Sequence, residues 1–246
     1  MDRRIVKLLG LVALAACDSD VEPDPIDCVP LPPNALHWWT GDGDGTDRVG
    51  TAHATLMHGV EFAPGLVESG GGQAFSFDGI DAYGHVDDTP TLNPTGPFSI
   101  VVWAKPGPNP WSGSITGKGH TWQESWVLGH LNGYWIGFIR SAGGGAARAF
   151  GPRVDPGVWT HLVMKWDGNV ISLYVDGEAW EATRVNTIRQ TDVYVGIGAR
   201  SEEGFGDELD NEFTGEIDEL LFFDRALGEE EIVDVFEAAE DGICKS

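Results

Sequence analysis

Between residues 34 and 224 the chain is written almost entirely in short apolar or alternating runs, each closed by Gly, Asp, Asn or Pro. That pattern restricts the fold more than any other feature. Residues 98–104, 134–139, 158–166, 170–175 and 192–197 carry the β-branched and aromatic bias of strands. Asp167-Gly168 and Asp176-Gly177 are tight-turn dipeptides whose glycines accept a positive φ. About twelve strands at this spacing imply two packed antiparallel sheets, an all-β sandwich. One helix is expected over residues 229–240, with Ile232, Val235, Phe236 and Ala239 on one face. Its first turn, Glu229-Glu230-Glu231, suits the positive end of a helix. No repeat and no second domain is visible.

Charge narrows the partners. The 246 residues hold 15 Lys and Arg against 39 Asp and Glu, a net charge of −24, which repels a phosphate backbone and argues against nucleic acid. Ten Trp and eleven Phe are too many for a chain that stays unfolded.

The start of the chain reads as an export signal. Arg3, Arg4 and Lys7 precede an apolar run over residues 8–16 that is too short to span a bilayer. Leu14-Ala15-Ala16-Cys17 resembles the lipobox of bacterial lipoproteins, a resemblance that implies cleavage before Cys17 and lipid on its thiol and amine. An ordinary signal peptide with a Cys near its end is the alternative. Losing residues 1–16 leaves a net charge of −26, so a membrane contact would run only through the lipid on Cys17. Asp18 resembles an inner-membrane retention signal, which leaves the periplasmic face and the cell surface both open. Residues 17–33 are then an Asp- and Pro-rich tether, and 34–246 the folded domain. In an oxidising compartment Cys28 and Cys244 are expected to form a disulfide, since no two cysteines lie close enough for a CxxC site.

Eight motifs then occur in order. They are Trp38-Trp-Thr-Gly-Asp-Gly-Asp44, Gly59-Val-Glu-Phe-Ala-Pro-Gly65, Ala74-Phe-Ser-Phe-Asp-Gly79, Phe98-Ser-Ile-Val-Val-Trp-Ala-Lys-Pro106, Trp159-Thr-His-Leu162, Leu173-Tyr-Val-Asp-Gly177, Gly215-Glu-Ile-Asp-Glu-Leu220 and Phe223-Asp-Arg-Ala-Leu227. Together, over about residues 35–240, they resemble the LamG-like jelly-roll domains of the concanavalin A-like lectin/glucanase superfamily. The resemblance implies a two-sheet jelly roll, and cysteines at both ends agree with it. It also implies a structural calcium ion between an Asp of the early loop and an Asp of the penultimate strand, here Asp47 and Asp218. Asp42 and Asp44 stand beside them in Asp42-Gly-Asp-Gly-Thr-Asp47, where alternating Asp and Gly lets oxygens converge. A solvated acidic turn is the alternative. An EF-hand is excluded, because Asp47 stands where its Gly belongs and His53 where its bidentate Glu belongs.

Catalysis is not expected. Gly113-Ser-Ile-Thr-Gly-Lys-Gly119 is one residue short of a phosphate-binding loop, and neither HExxH nor GxSxG occurs. Glu208, Asp210 and Glu212 have the spacing of a retaining β-glucanase strand, but Asn211 stands where an apolar residue should enter the core. A β-glucanase is therefore the third reading, behind a charged loop. Sugar binding rests on tryptophan, since C–H faces of sugars stack on indole. Trp38, Trp39, Trp103, Trp126, Trp135, Trp159 and Trp166 fall on strands and are assigned to packing. Trp111, Trp122 and Trp180, with His120, fall in or beside loops and are the candidate ligand contacts. The expectation is a non-catalytic cell-envelope module that binds a glycan at its loop rims. A structural or protein-interaction module is the alternative.

Overall fold

The computed structural model describes residues 30–66, 72–119, 123–200 and 212–237. Among them are fifteen strands, one α-helix and a short 3-10 helix at Pro90–Leu92, where the spacing predicts about twelve strands. The strands are β1 Ala35–Trp39, β2 Ala54–Met57, β3 Glu61–Pro64, β4 Gln73–Asp78, β5 Tyr83–Val86, β6 Phe98–Pro106, β7 Gly113–Lys118 and β8 Trp126–Leu131. They continue as β9 Tyr134–Arg140, β10 Ala146–Arg153, β11 Thr160–Trp166, β12 Val170–Val175, β13 Glu178–Arg184, β14 Val195–Ile197 and β15 Thr214–Phe223, before the helix α1, Glu229–Glu237. The order is β13-β12-β11-β6-β15-β4-β3 in one sheet, with β1 also on β15, and β10-β9-β8-β7-β14-β5-β2 in the other. Neighbours are antiparallel. This is the jelly-roll sandwich. The extra strands are those with little alternation to read. β13 is exposed at six of its seven positions, and Gly113 and Gly117 interrupt β7.

Burial explains the apolar runs. Phe98, Ile100, Val102 and Ala104 of β6 point between the sheets, while Val101 points outward under α1. A strand covered on both faces has no polar face to show, so β6 reads as a continuous run. Ile232 and Val235 of α1 pack on Trp38, Val101, Val163 and Tyr174, as the helical spacing predicts. Trp38, Trp39, Trp103, Trp126, Trp135 and Trp166 are all buried. Burying each large apolar side chain is worth about 2 kcal/mol.

Two features place the functional end. First, β15 pairs with β4 through Thr214–Ile217 and with β1 through Leu220–Phe223, and Glu219 marks the bulge between them at φ +52°. Its carboxylate accepts the Trp38 indole N–H at 2.5 Å. Second, the ten residues of β15 set two ends of the sandwich about 30 Å apart. Ala35 pairs with Phe223 at one end, where Arg225 Nη2 also donates to the Pro33 carbonyl at 3.0 Å. At the other end Gly107 N–H donates to the Thr214 carbonyl at 2.8 Å. The chain enters at the first end. The exposed aromatics gather at the second.

Candidate functional site

Three connections meet at the Thr214 end. Residues 107–112 join β6 to β7, Asn132-Gly133 joins β8 to β9, and residues 154–159 join β10 to β11. Asn132 and Gly133 have φ of 52° and 77°, the two-residue turn that matches strand twist. Asp176-Gly177, at 50° and 77°, does the same between β12 and β13, as its sequence predicts. Hydrogen bonds lace the first three together. Gly133 N–H donates to the Trp111 carbonyl at 2.8 Å, Val154 N–H to the Gly133 carbonyl at 3.0 Å, and Gly157 N–H to the Pro106 carbonyl at 2.7 Å.

Between them lies an open cleft of about 340 Å³ lined by Asn109, Pro110, Trp111, Gly133, Arg153, Val154 and Pro156. Asn109 adopts φ +59°, and Trp111 N–H donates to its carbonyl at 2.8 Å. The buried His130 hydrogen-bonds the Trp111 backbone. Desolvation pulls the His130 pKa down to about 4, so the ring is neutral at neutral pH. The result is an indole 66% exposed to solvent on a backbone held from two sides. Such a platform loses little freedom when a ring stacks on it. Ile80, Val158 and Tyr134 are also exposed at this end.

A second device aims Arg153. The β9–β10 register slips between Phe150 and Arg153, leaving extra chain at Gly151-Pro152. A Cβ on Gly151 would stand 3.0 Å from Trp135 Cβ and 3.0 Å from Val175 Cγ2, so no side chain fits without displacement. The slip sets Arg153 opposite Tyr134, with the guanidinium 5.5 Å from the ring centroid.

Among the predicted contacts, Trp111 lies in this cleft. Trp180 is 52% exposed and is the extra residue of a bulge in β13, between the pairs Leu173–Glu181 and Tyr174–Ala179. It is not among the residues lining the cleft. His120 and Trp122 lie outside the described residues, as do Cys17, Cys28, Cys244, Glu208 and Asp210. Glu212 is half-buried and bridges Ser114. Asn109 falls in the stretch Pro108-Asn-Pro-Trp-Ser-Gly113 that the sequence points to beside Trp111, whereas sequence reasoning missed His130, Tyr134 and Arg153. Asn132-Gly133 was a legible turn signal, but the register slip that brings Arg153 there has no local signature.

The four acids expected to hold calcium all accept hydrogen bonds from the protein itself. Asp47 is buried, and its carboxylate accepts from His37 Nδ1 at 2.6 Å and from the N–H groups of Trp38 (3.0 Å), Val49 (3.2 Å), Gly50 (2.9 Å) and Ala52 (3.0 Å). Burial would raise its pKa, but those hydrogen bonds outweigh burial and hold it below the usual value. Donors pointing at an oxygen occupy the directions a cation needs. Asp218 Oδ2 accepts from Leu66 N–H at 2.9 Å, Asp42 Oδ1 from Gln73 N–H at 2.9 Å, and Asp44 Oδ1 from Thr46 N–H at 2.8 Å. Among the described residues no three His, Cys, Asp or Glu side chains converge on a metal position.

Comparison with known proteins places this geometry. Residues 78–233 match a family model, Laminin_G_3, described as the Concanavalin A-like lectin/glucanases superfamily. No curated protein sequence matches significantly. Among solved structures, the binding domain of Paraclostridial Mosquitocidal Protein 1 superposes with a TM-score of 0.67 at 13% identity, over 82% of this chain and 52% of that one. Domain 4 of AbnA, a GH43 extracellular arabinanase from Geobacillus stearothermophilus in complex with arabinotriose, gives 0.56 at 18% identity, over 82% and 98%. Botulinum neurotoxin type C, described as dependent for cell entry upon interaction with two ganglioside molecules, gives 0.61 at 12% identity, over 84% and 51%. The chain thus spans about half of the toxin fragments and nearly all of the arabinanase domain. At these identities the likeness is one of fold.

Proposed function

The chain belongs to the concanavalin A-like lectin/glucanases superfamily, and from that premise we propose that it is a non-catalytic module that binds a glycan at the Trp111 cleft. The observation that carries this reading is the exposed indole on its pinned backbone, beside a cavity large enough for a sugar ring. The names of its structural neighbours, which are binding domains and an arabinotriose complex, support a glycan as the partner class. A glycan array probed with the full chain and with Trp111→Ala tests it. Saturable binding lost in the variant is expected, and equal binding by both proteins would move the site elsewhere. Exposed Ile80 and Val158 at the same end favour a second reading, a protein partner, which array silence from folded protein would promote.

The address is proposed with it. Lipid on Cys17 would hold the domain at a bacterial membrane, with a Cys28–Cys244 disulfide closing it. Because the chain enters at the Phe223 end, the tether would leave the Trp111 cleft facing outward. Among the described residues no helix is long and apolar enough to cross a membrane. Mass spectrometry of the mature chain and of Cys17→Ser checks the lipid, and a non-reducing peptide map checks the disulfide.

A further inference from the structure

The cleft opens onto a strip of the seven-stranded sheet that carries two arginines, with the Glu181 carboxylate at its edge accepting the Phe150 N–H at 2.6 Å. On the outer face of β10, Arg148, Phe150 and Arg153 stand opposite Phe138, Ile136 and Tyr134 of β9. Each arginine lies over the ring across from it, Arg148 at 5.5 Å from the Phe138 centroid and Arg153 at 5.5 Å from Tyr134. Stacking holds a guanidinium in place and leaves its donor edge free. Elsewhere Arg48 pairs with Asp44, Arg140 and Arg200 with Glu124, and Arg225 with Glu231. Arg148 and Arg153 are exposed, and among the described residues no carboxylate forms an ion pair with either. That is a notable omission in a chain with 39 acids.

Their ring partners are four residues apart on β9, so the two guanidinium groups stand about 13 Å apart along the strand. That separation exceeds one sugar ring. Phe150, 37% exposed, lies between them, and Trp111 stands in the cleft that Arg153 lines. We propose that this strip binds a linear acidic polysaccharide, with Arg153 and Arg148 taking carboxylates of separate uronic acid units and Trp111 stacking on a ring at the end. The proposal rests on the reading of the Trp111 cleft as a glycan site. Arginine matches a carboxylate with two parallel donors, a geometry that a neutral hydroxyl does not fill. The net charge of the molecule is screened beyond about 8 Å at physiological salt, so the adjacent pairs govern recognition.

The test is titration calorimetry of the full chain in detergent with hexasaccharides of galacturonate, mannuronate and hyaluronan, their methyl esters, and maltohexaose. The proteins are wild type, Arg148→Gln, Arg153→Gln, Arg153→Lys and Trp111→Ala, each with its thermal midpoint as a folding control. At least one acidic hexasaccharide is expected to bind, tenfold or more tighter than its ester. Each Gln variant should lose tenfold or more, and Arg153→Lys should recover part of that. Equal binding of acids, esters and maltohexaose that depends on Trp111 but not on the arginines would overturn the acidic class and leave the glycan reading standing. Silence from every saccharide would overturn the acidic class, and the glycan array would then decide the reading of the Trp111 cleft.

Discussion

Residues 40–53 and 107–112 both connect strands, and they spend their side chains in opposite directions. The first is rich in Asp and turns its chemistry inward, where Asp47 gathers a histidine ring and four backbone N–H groups. The second satisfies its own backbone through Asn109, Gly133 and His130, and leaves a whole indole in solvent. Charge density in a loop is therefore a poor guide to a site when the backbone itself can take the charge. A large apolar side chain left outside, on a frame that holds it still, is the better guide.

The contrast predicts its largest effect at Asp47. Asp47→Ala strands five donors in the interior and should cost about 4 kcal/mol in urea denaturation. The loss should be the same in calcium and in EDTA. A wild-type midpoint that rises with calcium would break the reading of this loop.

Acid should act on two buried histidines. Burial lowers His130 to about 4 and His161 to about 3. A lowered histidine pKa means that the unfolded chain binds the proton first, so stability is full above pH 6.5 and falls as pH drops toward the folded value. From pH 6.5 to 4 His130 alone should remove about 3 kcal/mol. His161 lies between Trp103 and Phe236, at ring distances of 5.0 and 5.9 Å, and among the described residues neither ring nitrogen has a hydrogen-bond partner. His161→Phe should therefore fold and should flatten part of the pH dependence of the melting midpoint. An unchanged slope would show that the ring is already hydrated.

Smaller effects sharpen the binding side. Gly151→Ala should cost about 2 kcal/mol, because its Cβ meets Trp135, Val175 and Leu173 at 3.0 to 3.1 Å. It should also weaken whatever ligand depends on Arg153. Trp111→Ala should leave stability within about 0.5 kcal/mol while lowering glycan affinity more than tenfold. If instead that variant melts early, the indole is packing and not a platform.

Much of the sandwich was legible because burial leaves a period in the sequence. β6, β9, β11 and β12 fall where their apolar runs stand, and α1 begins at Glu229 with Ile232 and Val235 inward, while Ala239 lies outside the described residues. β13 was not legible, since an exposed edge strand held by its pairing to β12 imposes no alternation. At the site, Trp111 could be singled out as a Trp between Pro110 and Ser112, in a loop no strand claims. Tyr134 and Arg153 could not, as they are nineteen residues apart and meet only through a register slip.

Determined by sequence alone were the alternation that makes two sheets and the turns at Asp167-Gly168 and Asp176-Gly177. These are local, set by side-chain period and backbone sterics within a few residues. Tertiary structure decided which acids turn inward, which tryptophan stays out, and where two arginines find aromatic rings instead of carboxylates. Those outcomes depend on which strands become neighbours and in what register. Pairing energy is gained between segments far apart in the chain, and no single segment records it.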